Sequence, residues 1–205
     1  MNPPPAAKQS FRAQMLQARE EAILGSVCRL LAGKGFEAMT VDQVAAEAGI
    51  AKASLYKHFP SKEALACAAV VRLLNQAQAV LAGLPADEAP LAKLQAAARW
   101  AMGRQLAGEL PALPGPHSSL GAALRASPEC SAGLSALRGL LEDWILGAQA
   151  QAVLNPALPA PAVLYTLAAR ACDPALAWLR DGGRHSDEQV VALALSACFE
   201  GLRAR

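Results

Sequence analysis

The sequence is poor in the residues that build sheets, metal sites and disulfide-stabilised domains. Aromatic residues make up 4% of the 205 residues, charged residues make up 18%, and only three histidines are present. β-Branched residues are few, whereas Ala and Leu dominate a hydrophobic fraction of 54%. This composition favours helices over strands, and the length suffices to bury a sizeable core. It predicts an all-α protein with one large or two modest domains.

A disulfide framework is also excluded. The cysteines are an odd number, stand apart from one another and lie within apolar helical patterns, at Cys28, Cys67, Cys130, Cys172 and Cys198. Such a set indicates reduced thiols in a cytoplasm. A redox or metal sensor is the alternative, but isolated buried cysteines usually act as small apolar residues.

No stretch of the chain reads as a targeting or membrane segment. The N-terminal prolines are followed by polar and charged residues, which does not fit a signal peptide. The longest stretch without charge, Trp144 to Ala169, contains three prolines and is a poor candidate for a membrane span. The sequence therefore predicts a soluble, cytoplasmic protein.

Motifs of common catalytic and metal sites are missing as well. His58, His117 and His185 are far apart, and none has a metal-binding partner three or four residues away. The chain has no Cys-x-x-Cys, His-Glu-x-x-His, phosphate-binding loop or Gly-x-Ser-x-Gly motif. We expect no enzyme activity, no cofactor and no metal.

The most informative stretch runs from residue 40 to residue 63 and reads as two short helices joined by a tight turn. Thr40 and Gln43 form a predicted capping box, and Gly49 stands where the first helix must end. A second helix is predicted over Lys52 to His58. Ser61 then caps a third helix.

The second of these helices directs hydrogen-bond donors and positive charge outwards. Its predicted outward residues are Lys52, Ser54, Tyr56, Lys57 and His58. Residues 1–62 carry a balance of +3, whereas the rest of the chain carries −1. A solvated helix face is the simpler interpretation of these donors. Beside a helix–turn, however, they are typical of a helix that enters the major groove of DNA.

This stretch resembles the N-terminal DNA-binding domain of the TetR/AcrR family of one-component transcriptional repressors. The resemblance covers about residues 10 to 66, and the rest of the chain is similar to the family only in length and helical character. Ala53-Ser54 replaces a commoner Gly-Thr, and Lys57-His58 stands where an aromatic or His pair is usual. The residues that carry the resemblance are Gly35-Phe36, Thr40-Val41, Ala45, Ala48-Gly49-Ile50, Leu55-Tyr56, Phe59, Ser61-Lys62-Glu63 and Leu65.

The resemblance implies a three-helix DNA-binding domain over residues 1–60, with a flexible arm at 1–9. It implies a helical ligand-binding and dimerisation domain over 61–205. The protein would be a homodimeric repressor that binds a palindromic operator and is released by a small-molecule effector when the long helix Ser61–Leu81 swings. Activation instead of repression stays open. The alternative is a helical sensor or scaffold of this fold without DNA binding.

Each candidate DNA-binding residue has an expected role. Thr40 and Ser61 suit phosphate oxygens at helix starts, and the resemblance gives Tyr56 and Lys62 the same role. Lys52 and Lys57 are candidates for guanine, and Ser54 suits either a base edge or the backbone. His58 suits either phosphate or packing beside Phe59. From the arm, Lys8 and Arg12 could reach DNA, and a tail without contact is equally consistent.

The effector site is predicted from large apolar side chains with a few polar tips, and ordinary core packing is the alternative for its aromatic members. The candidates are Trp100, Met102, Arg104, His117, Leu141, Trp144 and Tyr165, and the expected effector is an apolar or aromatic compound. The last two helices, about Pro161–Arg180 with a kink at Pro174 and Asp187–Leu202, have two apolar faces. Such helices are expected to form the dimer contact.

The remaining helices have expected bounds too. The first helix is predicted from Ser10 to Ala32. Asp87 is expected to cap a helix over about Leu91 to Leu110, followed by a loop to Pro116. A short helix over Ser118 to Arg125 and one from Ser127 to about Leu154 complete the prediction.

Overall fold

A computed structural model describes residues 11–112, 114–115 and 117–201, with side chains from residue 14 onwards. This part of the chain holds ten helices and no strand, so the all-α prediction is confirmed. The arm at 1–9, with Lys8, lies outside the described residues, as does the side chain of Arg12. The helices are α1 (Phe11–Ala38), α2 (Val41–Glu47), α3 (Lys52–His58), α4 (Lys62–Ala82), α5 (Pro90–Leu106), α6 (Ser119–Ala126), α7 (Pro128–Ala150), α8 (Ala160–Ala171), α9 (Ala175–Asp181) and α10 (Asp187–Gly201).

The first helix runs longer than predicted, but its regular part ends near the expected place. Within α1, Gly35 has φ 76° and ψ 169°, which is not helical. A residue without a Cβ adopts such a φ without strain. The break turns Phe36 and Met39 into the interior, where they are 8% and 1% exposed. The chain therefore breaks at Gly35, shortly after the predicted end at Ala32, and the break is a kink inside α1.

The caps predicted around the helix–turn–helix are confirmed. The Thr40 hydroxyl accepts a hydrogen bond from the Gln43 amide at 3.2 Å, and the Gln43 side chain accepts one from the Thr40 amide at 3.1 Å. Gly49 has φ 66°, the left-handed conformation expected where the chain reverses. The Ser61 hydroxyl caps α4 by accepting a hydrogen bond from the Ala64 amide at 3.1 Å.

Three predictions about the C-terminal helices are wrong in detail. Asp87 does not cap α5, because that helix begins at Pro90 after Ala89, which provides no side-chain hydrogen bond. The helix α7 ends at Ala150 instead of near Leu154. Pro174 lies at a complete break between α8 and α9, not at a kink, because the proline cannot donate a backbone hydrogen bond to continue α8.

Two clusters of buried hydrophobic residues hold the helices together. The N-terminal cluster includes Ile23, Val27, Val44, Leu55, Leu65, Leu120, Leu124 and Cys130, so α6 and the start of α7 pack with α1–α4. The C-terminal cluster includes Leu94, Met102, Ile145, Val163, Leu167, Leu176, Val190 and Phe199, from α5 and α7–α10. The domain boundary between residues 60 and 61 stays a prediction.

The helix α4 joins the two halves. Its buried residues extend from Leu65 near its start to Leu81 near its end, and it contacts α1, α5, α6 and α7. At a rise of about 1.5 Å per residue, its 21 residues span roughly 30 Å. By length and composition this helix could cross a membrane, but the core helix of a globular protein meets the same criteria. Its neighbours on several sides favour the core interpretation.

Candidate nucleic-acid interface and effector cavity

The helix α3 presents one buried and one open face. Leu55 is 1% exposed and anchors the helix in the N-terminal cluster, with Ile50 and Phe59 packed beside it. Tyr56, the next residue along the helix, is 47% exposed. The helix α3 has only two turns and a single buried residue, Leu55. The position of Leu55 therefore determines which face of α3 is buried. Also on the open side, Lys52, Lys57 and His58 are exposed, and Ser54 is half-buried.

An ion pair joins α3 to α2. The Lys52 ammonium lies 2.8 Å from the Asp42 carboxylate, and both side chains are largely exposed. The hydrogen bond that Lys52 donates to the Asp42 carboxylate raises the pKa of Lys52, so this side chain stays charged. In contrast, no ion pair of Lys57 occurs among the described side chains. Among the described side chains, Lys57 is therefore the cation of α3 that no carboxylate holds.

Lys62 lies at the start of α4 and is held by the end of α1. Its ammonium donates to the Glu37 carbonyl oxygen at 3.2 Å and lies 4.4 Å from the centroid of the Phe36 ring. The carboxylate of Glu37 in turn accepts a hydrogen bond from the hydroxyl of Ser119 on α6. These contacts orient Lys62 near the capped starts of α2 and α4. They also connect α6 directly to the end of α1 and the start of α4.

The two capping hydroxyls keep a proton for another acceptor. Thr40 and Ser61 use oxygen lone pairs to accept backbone hydrogen bonds, and a hydroxyl can still donate its own hydrogen. His58 lies at the end of α3 with its ring centroid 6.4 Å from that of Phe59. It also borders a cleft of about 50 Å³ with Leu16, Arg19 and Glu20 of α1. Both roles expected for His58 are compatible with this position.

A much larger cavity, of about 420 Å³, lies among α4, α5, α6, α7 and α8. Its size falls within the range of small-molecule sites. The loop at 110–114 completes the wall. The described lining consists of Ala, Val, Leu and Pro residues together with Trp100 and Cys172, and it includes Leu73, Leu74 and Ala77 of α4, Leu120 and Leu124 of α6, and Leu137 of α7.

Two of the seven residues predicted for an effector site line this cavity, Trp100 on α5 and Leu141 on α7. The other five lie elsewhere. Met102 is fully buried in the C-terminal cluster, and Trp144 packs against that cluster with the Lys93 ammonium 5.9 Å from its ring. Tyr165 is 60% exposed on α8. His117 is exposed just before α6, and Arg104 pairs with Glu109 while lying 5.6 Å from the Trp100 ring.

Most of the cavity wall was therefore missed at the sequence level. Its members are alanines and leucines, such as Ala97, Ala101 and Leu134, which are also the commonest residues of the helical cores. Small side chains at several facing positions leave space between helices. The one available signal was the excess of alanine on both α4 and α5.

The described cysteines show no arrangement of a metal site. No group of three His, Cys, Asp or Glu in the described chain is placed to hold a metal ion. Cys67 and Cys130 lie together between α4 and α7, and the Cys130 thiol is 3.5 Å from the Cys67 carbonyl oxygen. Burial, together with the neighbouring Cys130, raises the pKa of Cys67 to about 11. A thiol with such a pKa is a poor nucleophile at neutral pH.

Comparisons with known proteins agree with this geometry. The sequence model described as "Bacterial regulatory proteins, tetR family" matches residues 23–69, which span most of α1, the helix–turn–helix and the start of α4. The HTH-type transcriptional regulator RutR of Escherichia coli K12 is 34% identical over 84 residues, which cover 41% of this chain and 40% of RutR. The uncharacterized HTH-type regulator YerO of Bacillus subtilis is 46% identical over 50 residues, 24% of this chain and 17% of YerO.

The matched part thus spans less than half the length of these curated relatives. The fold of nearly the whole chain is similar to that of a TetR-family transcription regulator from Marinobacter aquaeolei VT8. The TM-score is 0.66 at 19% sequence identity, and the match covers 94% of this chain and 99% of that one. The family model matches the N-terminal helices, whereas the likeness of fold extends over nearly the whole chain. On these matches, residues 23–69 carry the sequence pattern of the TetR family of bacterial regulatory proteins, and the fold of nearly the whole chain is similar to that of a solved TetR-family regulator.

Proposed function

We propose that the protein is a ligand-responsive transcriptional repressor that binds a palindromic operator as a homodimer. The open donor face of α3 carries the proposal. It combines the exposed Lys57 and Tyr56 with Lys62 and two capping hydroxyls on one side of a helix–turn–helix. Lys57, Lys52 and Ser54 suit base edges, whereas Tyr56, Lys62, Thr40, Ser61 and His58 suit the phosphate backbone.

Dimerisation through the last helices is supported by apolar side chains that remain open in one protomer. Tyr165 on α8 and Leu193 on α10 are 60% and 48% exposed. On α9, Trp178 and Leu179 are 74% and 42% exposed. Exposed apolar side chains on three successive helices favour a partner, and a second copy gives the two-fold symmetry that a palindrome requires. Two recognition helices would then enter adjacent major grooves about 34 Å apart.

The cavity is the proposed effector site. Its wall includes Leu73, Leu74 and Ala77 of α4, the same helix whose first residue is the proposed phosphate contact Lys62. A ligand that fits a conformer with a displaced α4 shifts the population towards that conformer and alters the spacing of the half-sites. The residue positions thus support release of DNA by a small molecule.

The helix α6 offers a second route for the same signal. Leu120 and Leu124 line the cavity, and Ser119 on the same helix donates to the Glu37 carboxylate beside Lys62. We expect Ser119→Ala to bind both operator and effector normally but to release DNA at a higher effector concentration. A variant with an unchanged release curve would remove this contact from the signalling route.

The decisive test of the proposed function measures binding to DNA selected from a random pool, followed by titration with candidate effectors. We expect binding that weakens steeply between about 50 and about 200 mM salt, since phosphate contacts release counterions. A helical sensor or scaffold without DNA binding would give no complex even at low salt. Purified protein that is monomeric would contradict the dimeric half of the proposal.

The cell compartment follows from the partner. The curated relatives are bacterial DNA-binding regulators, and DNA is reached in the cytoplasm. We infer the same location for this chain. The family relatives are regulators rather than enzymes, which agrees with the expectation of no catalytic activity.

A further inference from the structure

The cavity contains no partner for a charged ligand. Its described lining is aliphatic apart from Trp100 and Cys172, and no Lys, Arg, His, Asp or Glu belongs to it. Where the wall approaches the surface, at Leu134 of α7 and Pro114 of the loop, the exposed lining is apolar too. An ion enters such a site only by losing its hydration without compensation.

Three arginines on the surrounding helices are already engaged elsewhere. Arg72 of α4 donates to the Glu21 carboxylate of α1 at 2.6 Å. Arg104 of α5 pairs with Glu109, and Arg170 of α8 lies 2.8 Å from the Asp173 carboxylate. Recruiting any of these arginines to a ligand would break an existing ion pair and leave its carboxylate unpaired.

The cavity is large enough for a small organic ligand, but it is not closed. Its volume of about 420 Å³ lies within the range of small-molecule sites, and its wall reaches the surface at Leu134 and Pro114. The described lining is almost entirely apolar, so a charged headgroup placed inside it would contact apolar atoms instead of water.

We propose that this cavity takes an uncharged, hydrocarbon-rich ligand and discriminates against carboxylates and ammonium ions of the same length. The inference rests on the proposed function only in treating the cavity as the effector site. It goes further by naming the chemical class of the ligand and by excluding ionised forms. Its physical basis is the uncompensated desolvation of a buried charge.

The test is isothermal titration of the full-length protein with 1-decanol, decanoate and decylammonium, all below their micellar concentrations, and with naphthalene as a rigid neutral probe. We expect 1-decanol to bind at least about tenfold more tightly than either ion at neutral pH. Because only its neutral form enters, decanoate should gain about tenfold in affinity for each pH unit from about 8 down to about 6. The affinity of 1-decanol, measured at both pH values, should not change.

A matched pair of variants ties binding to the cavity. Ala97→Phe adds a ring inside the lining and should lower the affinity of 1-decanol by at least about tenfold, by occupying the space. Ala136→Phe makes the same change at an exposed position on α7 outside the lining and should leave affinity unchanged. Circular dichroism of both variants checks that each is folded, and Ala101→Phe serves as a second cavity variant if Ala97→Phe unfolds.

Each result separates the ligand class from the proposed function. Equal binding of decanoate and 1-decanol at neutral pH would overturn the inference, as would binding that Ala97→Phe does not alter or no binding by either neutral probe. If a neutral probe binds as expected but leaves the protein–DNA complex intact, the ligand class stands. In that case the proposed effector role of the cavity fails instead.

Discussion

Replacing Lys62 or Lys57 by alanine should produce two different defects in DNA binding. Lys62 lies at the start of α4, held by the Glu37 carbonyl oxygen and the Phe36 ring, in a position suited to phosphate. Each phosphate contact contributes about 0.9 to the slope of log K against log salt. A dimer loses two such contacts, so Lys62→Ala should reduce the slope by about 1.8 on every DNA sequence.

Lys57→Ala should instead reduce discrimination between sequences. Its side chain has no ion pair among the described residues and lies on the open face of α3. A base contact is worth about 1–3 kcal/mol, or roughly 5- to 150-fold in affinity for each half-site. A dimer loses the contact in both half-sites, so we expect operator binding to weaken by about the square of this factor, roughly 25- to 20,000-fold. Binding to random duplex should fall far less, and fluorescence anisotropy on both DNAs would measure the difference.

A third variant controls for the loss of positive charge. Lys93→Ala removes the same charge from α5, where the ammonium donates to the Ala86 carbonyl oxygen at 2.8 Å, far along the chain from the helix–turn–helix. It should leave both the salt slope and the specificity unchanged. An unaltered slope for Lys62→Ala, or an equal loss on all sequences for Lys57→Ala, would refute the assignment of roles. Thermal unfolding of each variant excludes a general loss of fold.

Three further predictions address the ion pair, the core and the buried thiol. Asp42→Asn removes a negative charge and frees Lys52 from an exposed ion pair that is worth about 0–1 kcal/mol. Binding to all DNA should therefore strengthen several-fold in gel shifts, and weaker binding would contradict this. Met102→Ala should lower the free energy of unfolding by about 2–5 kcal/mol in urea titrations, since the side chain is fully buried, and a change below about 1 kcal/mol would contradict its core role. The pKa of Cys67 is raised to about 11 in the folded protein, whereas an unfolded thiol releases its proton near pH 8.5. The free energy of unfolding should therefore fall between about pH 9 and pH 11, because only the unfolded chain loses the proton in that range. Cys67→Ala should show a smaller fall than the natural protein, and identical pH curves would contradict this origin.

The local order of the DNA-binding half was predictable because short-range chemistry determines it. Thr40, Gln43, Gly49 and Ser61 act through hydrogen bonds and backbone angles within a few residues of each position. The cap of α10 is of the same local kind, since the Ser186 hydroxyl accepts a hydrogen bond from the Gln189 amide at 3.3 Å. Such signals are readable without knowing what packs against the helix.

The cavity was not predictable in the same way. Trp100 was chosen for its size and does line the space, whereas Trp144, chosen for the same reason, packs against the C-terminal cluster. The difference depends on which side of each helix faces α4. Position relative to a distant helix is a tertiary property, and the alanines that create the space have no chemistry of their own to mark them.

The break between α8 and α9 was only partly foreseen. Pro174 indicated a disturbance, but the sequence alone did not distinguish a bend from a full interruption. The structure ends α8 at Ala171 and uses the Asp173 carboxylate to accept the Ala175 amide at 2.9 Å. That local contact gives the chain a new start, so α9 runs as a separate short helix with Trp178 outside.

The packing of α4 and α6 into the N-terminal hydrophobic cluster bears on the engineering of hybrid regulators. A graft that joined the first 60 residues to a foreign sensor domain would lack Leu65, Leu120 and Leu124. These three residues pack in one cluster with the buried residues of α1. The transplanted DNA-binding helices would then expose to water the apolar side chains that α4 and α6 normally cover, unless the new host protein supplied a matching helix. When domains are exchanged between related regulators, the buried face of α6 should therefore be transferred together with the helix–turn–helix.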